Sequence, residues 1–185
     1  MSAIDRLVTN YDRQVRLSWP ANVAGKQRVW FAVYPPAEER RVRAQIPKFE
    51  THTLEANHGW TTVDLTSLLP QWIAAHEYRE GIFAEPEHFS ANSELEDLAV
   101  ERVRQACAGE DANGASVVAV TGLASLFDFM RVSRLIEHVE DSVRGRLLVF
   151  FPGEYAGNVY RFMDARDGFN YMAVPITTTE SFITP

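Results

Sequence analysis

The sequence predicts an α/β fold: a three-layer sandwich in which helices cover both faces of a mostly parallel, Rossmann-like or P-loop-NTPase-like sheet. Segments typical of strands alternate with segments of helical periodicity along the chain, an order that favours a parallel sheet. The later strand candidates, Ser116–Thr121 and Leu147–Phe151, are apolar on both faces, as strands between two helical layers are. A length of 185 residues suits one domain, so we expect a single α/β domain over residues 1–185.

The first helix and the first strand have clear signals. Apolar residues recur at helical spacing over residues 2–17, and Ser2 followed by Asp5 is typical of a capping box at a helix start. Gln27–Tyr34 is rich in β-branched and aromatic residues and stops at Pro35-Pro36, which predicts an interior strand.

The next helical stripe contains a proline. Apolar residues at helical spacing run from residue 42 to residue 54 across Pro47, whose ring removes a backbone donor, so two abutting helices or one kinked helix are both allowed. Trp60–Leu65 is the second predicted strand. Helical periodicity returns over residues 69–76, and Glu85–Asn92 is expected to be a loop.

The middle of the chain carries the clearest amphipathic pattern. It predicts a helix over residues 93–107, followed by a turn at Asn113-Gly114 and a third strand at Ser116–Thr121. A further helix is expected over residues 126–139, leading to the fourth strand at Leu147–Phe151.

The carboxyl-terminal part predicts an antiparallel hairpin at the edge of the sheet. Asp167-Gly168 separates two strand-like segments, Val159–Met163 and Tyr171–Ile176. Pro175 suits an edge position better than a central one, because proline cannot donate a hydrogen bond to a neighbouring strand.

Composition excludes several classes of protein. The net charge of −7 disfavours general nucleic-acid binding, so DNA is expected to be contacted only indirectly, if at all. No apolar run approaches the roughly 18 residues of a membrane span, and the amino terminus lacks the apolar core of a signal peptide. Cys107, as a single cysteine, cannot form an intrachain disulfide. We therefore expect a cytoplasmic protein with a packed Cys107 thiol.

The common catalytic motifs are absent. Gly25-Lys26 lacks a glycine-led loop and precedes a strand, so it is not a P-loop. His76–Glu80 has an acid where a zinc protease needs its second histidine. Neither of the two lysines, Lys26 and Lys48, follows a strand acid as a metal-dependent nuclease would require. Ser125 lacks the Gly-x-Ser-x-Gly context of a hydrolase nucleophile and is interpreted as an incidental helix cap.

A few polar residues follow the predicted strands, where α/β sheets usually bind ligands. Asp64 could hold a metal ion, although Thr66 nearby favours a turn or cap acid. Glu154 and Tyr155 are expected to project outward after Pro152-Gly153. A lone carboxylate lacks the second acid or base that general acid/base catalysis usually requires.

A series of motifs in order covers nearly the whole chain, and the carboxyl-terminal third is its most specific part. The motifs are Gln27–Tyr34 running into Pro36–Arg41, Ala75–Tyr78, Arg146–Tyr155, Asn158–Arg161, Asp164–Tyr171 and Ala173–Ile176. In these motifs the sequence resembles the BrxB family of bacteriophage exclusion (BREX) defence systems.

The resemblance implies a small cytoplasmic bacterial protein that is required for phage resistance and for host DNA methylation. The family has no established enzymatic activity of its own. The resemblance therefore assigns no catalytic residues, cofactor or metal ligands to this sequence. Such a protein is expected to work beside a methyltransferase, a large ATPase and an alkaline-phosphatase-like PglZ protein. We expect the PglZ protein to be the direct partner.

Our hypothesis is that Phe150–Tyr171 presents a recognition surface for that partner. Tyrosine and arginine are enriched at binding hot spots because they combine large contact area with directional hydrogen bonds. The candidate partner-binding residues are Glu154, Tyr155, Asn158, Tyr160 and Arg161. The alternative is that Tyr160 and Phe162 only fill the space under a hairpin.

A rival hypothesis is a degenerate nucleotide-binding protein or metal-dependent hydrolase of the same defence system. Its site would use Asp64, Thr121 and Glu154 at the strand ends.

Overall fold

The computed structural model describes residues 1–86, 93–165 and 168–179. Its helices are α1 (Ala3–Val15), α2 (Glu39–Glu55), α3 (Leu68–Ala75), α4 (Arg79–Ala84), α5 (Ser93–Ala108) and α6 (Val132–Val139). Its strands are β1 (Val29–Tyr34), β2 (Gly59–Asp64), β3 (Ser116–Thr121), β4 (Arg146–Ala156), β5 (Val159–Phe162) and β6 (Val174–Ile176). Short 3-10 turns lie between several of these elements.

The six strands form one mostly parallel sheet, which confirms the predicted fold class. The strand order is β2-β3-β4-β1-β6, and all the pairs along this path are parallel. The exception is β5, which pairs antiparallel with the end of β4. Strand β1, which is buried along its whole length, therefore lies between β4 and β6 in the interior of the sheet.

Two separate cores lie on the two faces of the sheet, as expected of a three-layer sandwich. Helices α1 and α2 cover the face that holds Trp30, Ala32 and Phe150. Helices α3, α5 and α6 cover the opposite face, which holds Phe31 and Phe151. Neighbouring residues of one strand contribute to different cores because successive side chains point to opposite faces of a sheet.

The amino-terminal helices agree closely with the sequence patterns. At the start of α1 the Ser2 hydroxyl accepts from the backbone N–H of Asp5, and the Asp5 carboxylate accepts from the backbone N–H of Ser2, so the capping box is present. Helix α2 continues through Pro47 as one element, so the segment is one helix and not two abutting helices. Helix α4 is an addition that the sequence patterns did not predict.

The expected helix over residues 126–139 is wrong in its first half. Leu123–Leu126 forms a 3-10 turn, and α6 begins only at Val132. Asp128 has a positive φ of 68°, a left-handed conformation that cannot continue a right-handed helix. Helical spacing of apolar residues thus persists across a segment whose backbone is not helical.

The carboxyl-terminal hairpin exists and contains the predicted segment Val159–Met163 as β5, but its partner is not Tyr171–Ile176. Strand β4 extends to Ala156 and turns back at once into β5. The segment expected to pair with β5 contains β6, which instead pairs in parallel with β1. Asp167 lies outside the described residues. Strand β6 ends the sheet, so the edge position predicted for Pro175 is confirmed.

Cys107 is buried on α5. Burial disfavours the thiolate and raises the pKa of Cys107 to about 11, which agrees with a packed thiol. In the part of the chain that the structure describes, no helix combines the length and the apolar character needed to cross a bilayer.

Candidate functional site

The hairpin of β4 and β5 forms the first part of the candidate site. Its loop consists of Gly157 and Asn158, which have φ values of 56° and 64°. Positive φ at both central residues is the signature of a type I′ turn, the tight turn whose twist matches two antiparallel strands. The side chain of Asn158 is tied to the hairpin, because the Tyr155 hydroxyl donates to its Oδ1 atom over 3.0 Å. The turn is therefore ordered by its own residues.

One face of the hairpin belongs to the protein core. Tyr160 is 0% exposed and its hydroxyl donates to the backbone oxygen of Ala173 over 2.9 Å. Phe162 is also buried. The Tyr160 ring packs edge-on against Phe31, with 4.6 Å between the ring centroids. Tyr160 and Phe162 therefore fill the space under the hairpin, and the Tyr160 side chain is not exposed on the surface predicted to bind a partner.

The opposite face of the hairpin is exposed, and we call it the hairpin face: Glu154, Ala156, Val159 and Arg161. Glu154 lies across from Arg161, and Ala156 lies across from Val159. The acidic Glu154 and the basic Arg161 are thus neighbours, next to a small apolar patch formed by Ala156 and Val159. Of the residues predicted to bind a partner, the structure places Glu154 and Arg161 together on this face, with Asn158 exposed at the turn.

Tyr155 lies on the same face as Tyr160, its cross-strand neighbour, but near the end of the hairpin. It is half-buried, and its ring packs against the ring of Tyr160 with 4.6 Å between centroids. Its hydroxyl reaches the exposed turn at Asn158. Tyr155 therefore links the core tyrosine to the turn.

A groove of about 480 Å³ lies between the hairpin and the segment that leads into α6. Aromatic side chains from both sides contribute to it, among them Phe127, Phe162 and Phe169. Asp128 and Arg131 supply opposite charges to its lining. The volume lies in the range of small-molecule pockets, and the groove adds a concave surface beside the hairpin.

The carboxyl ends of the parallel strands form the second place where a ligand could bind. Asp64 ends β2 and lies level with Thr121 at the end of β3. The Asp64 Oδ1 atom accepts hydrogen bonds from the hydroxyl of Thr66 at 2.5 Å and from its backbone N–H at 2.9 Å. Asp64 is thus the turn acid that the sequence favoured.

The hydrogen bonds continue from this turn along the sheet edge to β1. Arg43 on α2 donates from its Nη2 atom to the Thr66 hydroxyl at 2.7 Å and from Nε to Glu39 at 2.9 Å. Glu39 in turn accepts from the Tyr34 hydroxyl at 2.5 Å. The polar side chains at this edge therefore bond to one another.

The pKa of Asp64 lies below its ordinary value. Burial alone would raise it, but the hydrogen bonds from Thr66, the Arg43 charge and a hydrogen bond from Thr121 together outweigh the effect of burial. The carboxylate is thus held in its charged form by neighbours that belong to the same protein.

Glu154 does not join Asp64 and Thr121. Val120 of β3 is level with Val149 of β4, so Glu154 lies four residues beyond the level of Thr121, or roughly 13 Å at the rise of a strand. Within residues 1–86, 93–165 and 168–179, no three His, Cys, Asp or Glu side chains form a group that could hold a metal ion. The structure therefore brings together two of the three residues that the rival hypothesis needs.

Replacing Asp64 with asparagine is expected to destabilise the protein at pH 7. Because the folded-state pKa is lowered, the stabilisation by the carboxylate is fully present above the unfolded pKa of about 4 and is lost as the pH falls through the folded-state value. Urea unfolding of wild type and Asp64→Asn between pH 7 and pH 3 should therefore show a difference that shrinks toward pH 3. Thr66→Val, which removes one donor, should reproduce part of it. A difference independent of pH would contradict this account.

Sequence reasoning missed the Gly157-Asn158 turn, although the signal was present. A Gly-Asn pair between two segments of alternating polarity is a typical sequence for a two-residue hairpin. It also missed the Arg43 bridge between α2 and the β2 end, since these residues are far apart in the chain and only the fold brings them together.

Comparison with known proteins places the chain in a family. The family model described as BREX protein BrxB matches residues 61–176, a range that runs from within β2 to the end of β6 and includes the hairpin and the groove. The searches of curated proteins and of solved structures gave no match. Because the matched range is more than half of the chain, the chain belongs to the BrxB family and is a component of a BREX defence system.

Proposed function

We propose that the protein is a non-catalytic accessory or scaffold component of a BREX phage-defence and DNA-methylation complex and acts by protein–protein interaction. The proposed contact surface is the hairpin face, together with Asn158 and the exposed part of Tyr155. The observation that carries the proposal is the division of the hairpin into a buried aromatic face and an exposed face with paired charges.

The packing beneath the hairpin supports a role in recognition. The Tyr160 ring lies between those of Phe31 and Tyr155 at 4.6 Å from each, and its hydroxyl is bonded to Ala173. A surface held in place from below loses little conformational freedom on binding, so more of the contact energy appears as affinity. Exposed arginine and tyrosine are also frequent hot-spot residues.

The polar network at the carboxyl edge of the sheet supports a non-catalytic role. A general base needs a free lone pair within hydrogen-bond reach of its substrate. Here one oxygen of Asp64 already accepts two hydrogen bonds from Thr66, and Arg43 is bonded to both Thr66 and Glu39. At this oxygen and at Arg43, a substrate would have to compete with these internal partners.

The proposed direct partner is the PglZ-type protein of the same BREX system, with the methyltransferase and the large ATPase as further members of the assembly. This choice rests on the family and not on the shape of the surface. A net charge of −7 disfavours an extended DNA contact, so any contact with DNA is proposed to be indirect. The proposed location is the cytoplasm.

An exchange of the two hairpin charges tests the proposal. In Glu154→Arg/Arg161→Glu the cross-strand pair keeps opposite charges, so folding is expected to be retained while the charge pattern seen by a partner is reversed. We expect affinity for the purified PglZ-type protein, measured by calorimetry, to fall by at least roughly tenfold, the effect of about 1.4 kcal/mol. Arg102→Glu, on the exposed side of α5, is the control and should bind as wild type does.

Unchanged affinity of the exchanged variant, with thermal unfolding like that of wild type, would reject the hairpin face as the contact surface. Absence of binding by the wild-type protein would reject the PglZ-type protein as the direct partner. Affinity purification of the tagged protein from cells carrying the whole defence system would then identify which component it binds.

The second candidate function is nucleotide binding or metal-dependent hydrolysis at Asp64 and Thr121. The observation that favours it is their position side by side at the carboxyl edge, where α/β sheets commonly bind ligands. Thermal-shift titrations with nucleotides and divalent metals would distinguish the two. A saturable shift that disappears in Asp64→Asn would favour this function over the scaffold role.

A further inference from the structure

Strand β2 forms one edge of the sheet. The hydrogen bonds at its two ends show which of its residues face β3 and which face outward. The N–H of Gly59 donates to Ala115 and the N–H of Leu65 donates to Thr121, both over 3.0 Å. Residues of a strand alternate in the direction of their backbone groups, so the odd-numbered residues face β3. The N–H and C=O groups of Trp60, Thr62 and Asp64 therefore point away from the sheet, and among the described residues no hydrogen bond uses them.

Apart from the charge of Asp64 at its end, the β2 edge lacks the features that usually prevent edge-to-edge pairing. Natural edge strands are often short or carry proline, lysine or a bulge. At the other edge, β6 has three residues including Pro175. Strand β2 has six residues in unbroken register with β3, and neither proline nor a basic residue lies within it. Thr62 at its centre is exposed. An edge of this kind is suited to pairing with another strand.

We propose that β2 pairs antiparallel with β2 of a second copy, giving a two-fold symmetric dimer with a continuous sheet of twice the width. Only outward-facing residues can form the hydrogen-bonded pairs of an antiparallel ladder. A two-fold axis at Thr62 satisfies this condition, because Thr62 then pairs with its own copy and Trp60 pairs with Asp64. Six backbone hydrogen bonds result, two for each of the three pairs.

The side chains are self-complementary in this register. A pair of threonines at the centre is favourable in antiparallel sheets, and Thr61 lies opposite Val63, another β-branched residue. The acidic Asp64 is opposite Trp60 and not opposite its own copy, so like charges do not face each other directly. The pairing uses the side of β2 that faces away from β3, and the hairpin lies at the end of β4. The dimer is therefore independent of the hairpin face and of its proposed function.

Thr62→Pro tests the pairing at its centre. The Thr62 N–H points outward, so proline removes a donor from the dimer ladder and leaves the bonds between β2 and β3 in place. We expect wild type to dimerise in sedimentation equilibrium, and Thr62→Pro to dimerise at least roughly tenfold more weakly, since each dimer loses two hydrogen bonds. Thr62→Val keeps the N–H and the β-branched shape, and it is expected to dimerise nearly as wild type does.

A cysteine at the same position gives a second test that does not depend on proline. Paired Cα atoms in a hydrogen-bonded antiparallel pair are about 5.5 Å apart, within the range that a disulfide spans. Thr62→Cys is therefore expected to form a covalent dimer on mild oxidation. The buried Cys107, whose pKa is raised to about 11, should contribute little. Arg102→Cys, exposed on α5, is the control. In denaturing electrophoresis without a reducing agent, it should run largely as a monomer.

A wild-type protein that stays monomeric across the accessible concentration range, with no cross-link in Thr62→Cys, would overturn the proposal. So would a dimer that is equally strong in Thr62→Pro and uncross-linked in Thr62→Cys, because the interface would then lie elsewhere.

Discussion

Replacing Phe31 with alanine is expected to lower the free energy of unfolding by about 3–5 kcal/mol, the usual cost of removing a buried aromatic ring. Phe31 is fully buried in the interior strand β1. Its ring packs against those of Phe151, Tyr160 and Tyr171 at centroid distances of 5.2, 4.6 and 6.2 Å. The cavity left by the ring cannot be closed easily because its neighbours are held by β4, by β5 and by the segment that leads into β6.

Urea and thermal unfolding measure this effect. A loss of this size is expected to lower the melting temperature by roughly 6–20 °C in a chain of this length. Phe83→Ala provides a control with the same chemical change, since Phe83 is 69% exposed on α4, and it should alter stability little. Equal losses in the two variants would contradict the packing described for the core.

The same variant bears on the proposed function. Phe31 supports Tyr160, and Tyr160 supports the hairpin. We therefore expect Phe31→Ala to loosen the hairpin face even under conditions where most of the protein remains folded. Hydrogen exchange of the β4–β5 amides would show this as faster local opening.

Gly122→Ala is expected to cost roughly 3 kcal/mol or more, at the upper end of what single substitutions cost. Gly122 has a φ of 81°, a left-handed conformation that disfavours alanine by about 1–2 kcal/mol. An added Cβ would also overlap the Thr66 backbone nitrogen and lie 2.7 Å from the Asp64 Oδ1 atom. The substitution would therefore separate the ends of β2 and β3 and disrupt the Asp64 turn.

Gly157→Ala isolates the conformational part of this effect, so the difference between the two variants gives the steric part. Gly157 also has a positive φ, 56°, but nothing lies within 4 Å of the position its Cβ would take. Its replacement should cost only the conformational term of about 1–2 kcal/mol. Chemical unfolding of both variants gives the comparison. If Gly122→Ala were no less stable than Gly157→Ala, the close contact between Gly122 and the Asp64 turn would be refuted.

The strands and most helices followed from local patterns. The apolar runs of β3 and β4, and the capping box of α1, are properties of a few neighbouring residues, and the structure confirms them. The errors arose where a local signal pointed the wrong way. Pro152-Gly153 read as the end of a strand, yet β4 continues to Ala156 because β5 pairs with its extension. Tertiary pairing thus overrode a local breaker signal.

The candidate site was predictable in composition but not in arrangement. The alternation of Val159, Tyr160, Arg161 and Phe162 separates two faces without showing which one is buried. The burial of Tyr160 follows from the position of Phe31 on a strand about 130 residues earlier in the chain. Likewise, Glu154 and Arg161 face each other only because the turn lies at Gly157-Asn158.

The amino-acid order was sufficient to establish the class of fold, the covered parallel sheet and the resemblance to the BrxB family, because periodicity and motifs depend on residues that are close in the chain. The strand order, the parallel pairing of β6 with β1 and the exposed edge at β2 could not be obtained in this way. They depend on which apolar faces pack together most completely, and that is a property of the whole chain, since each strand can bury its side chains beside several others.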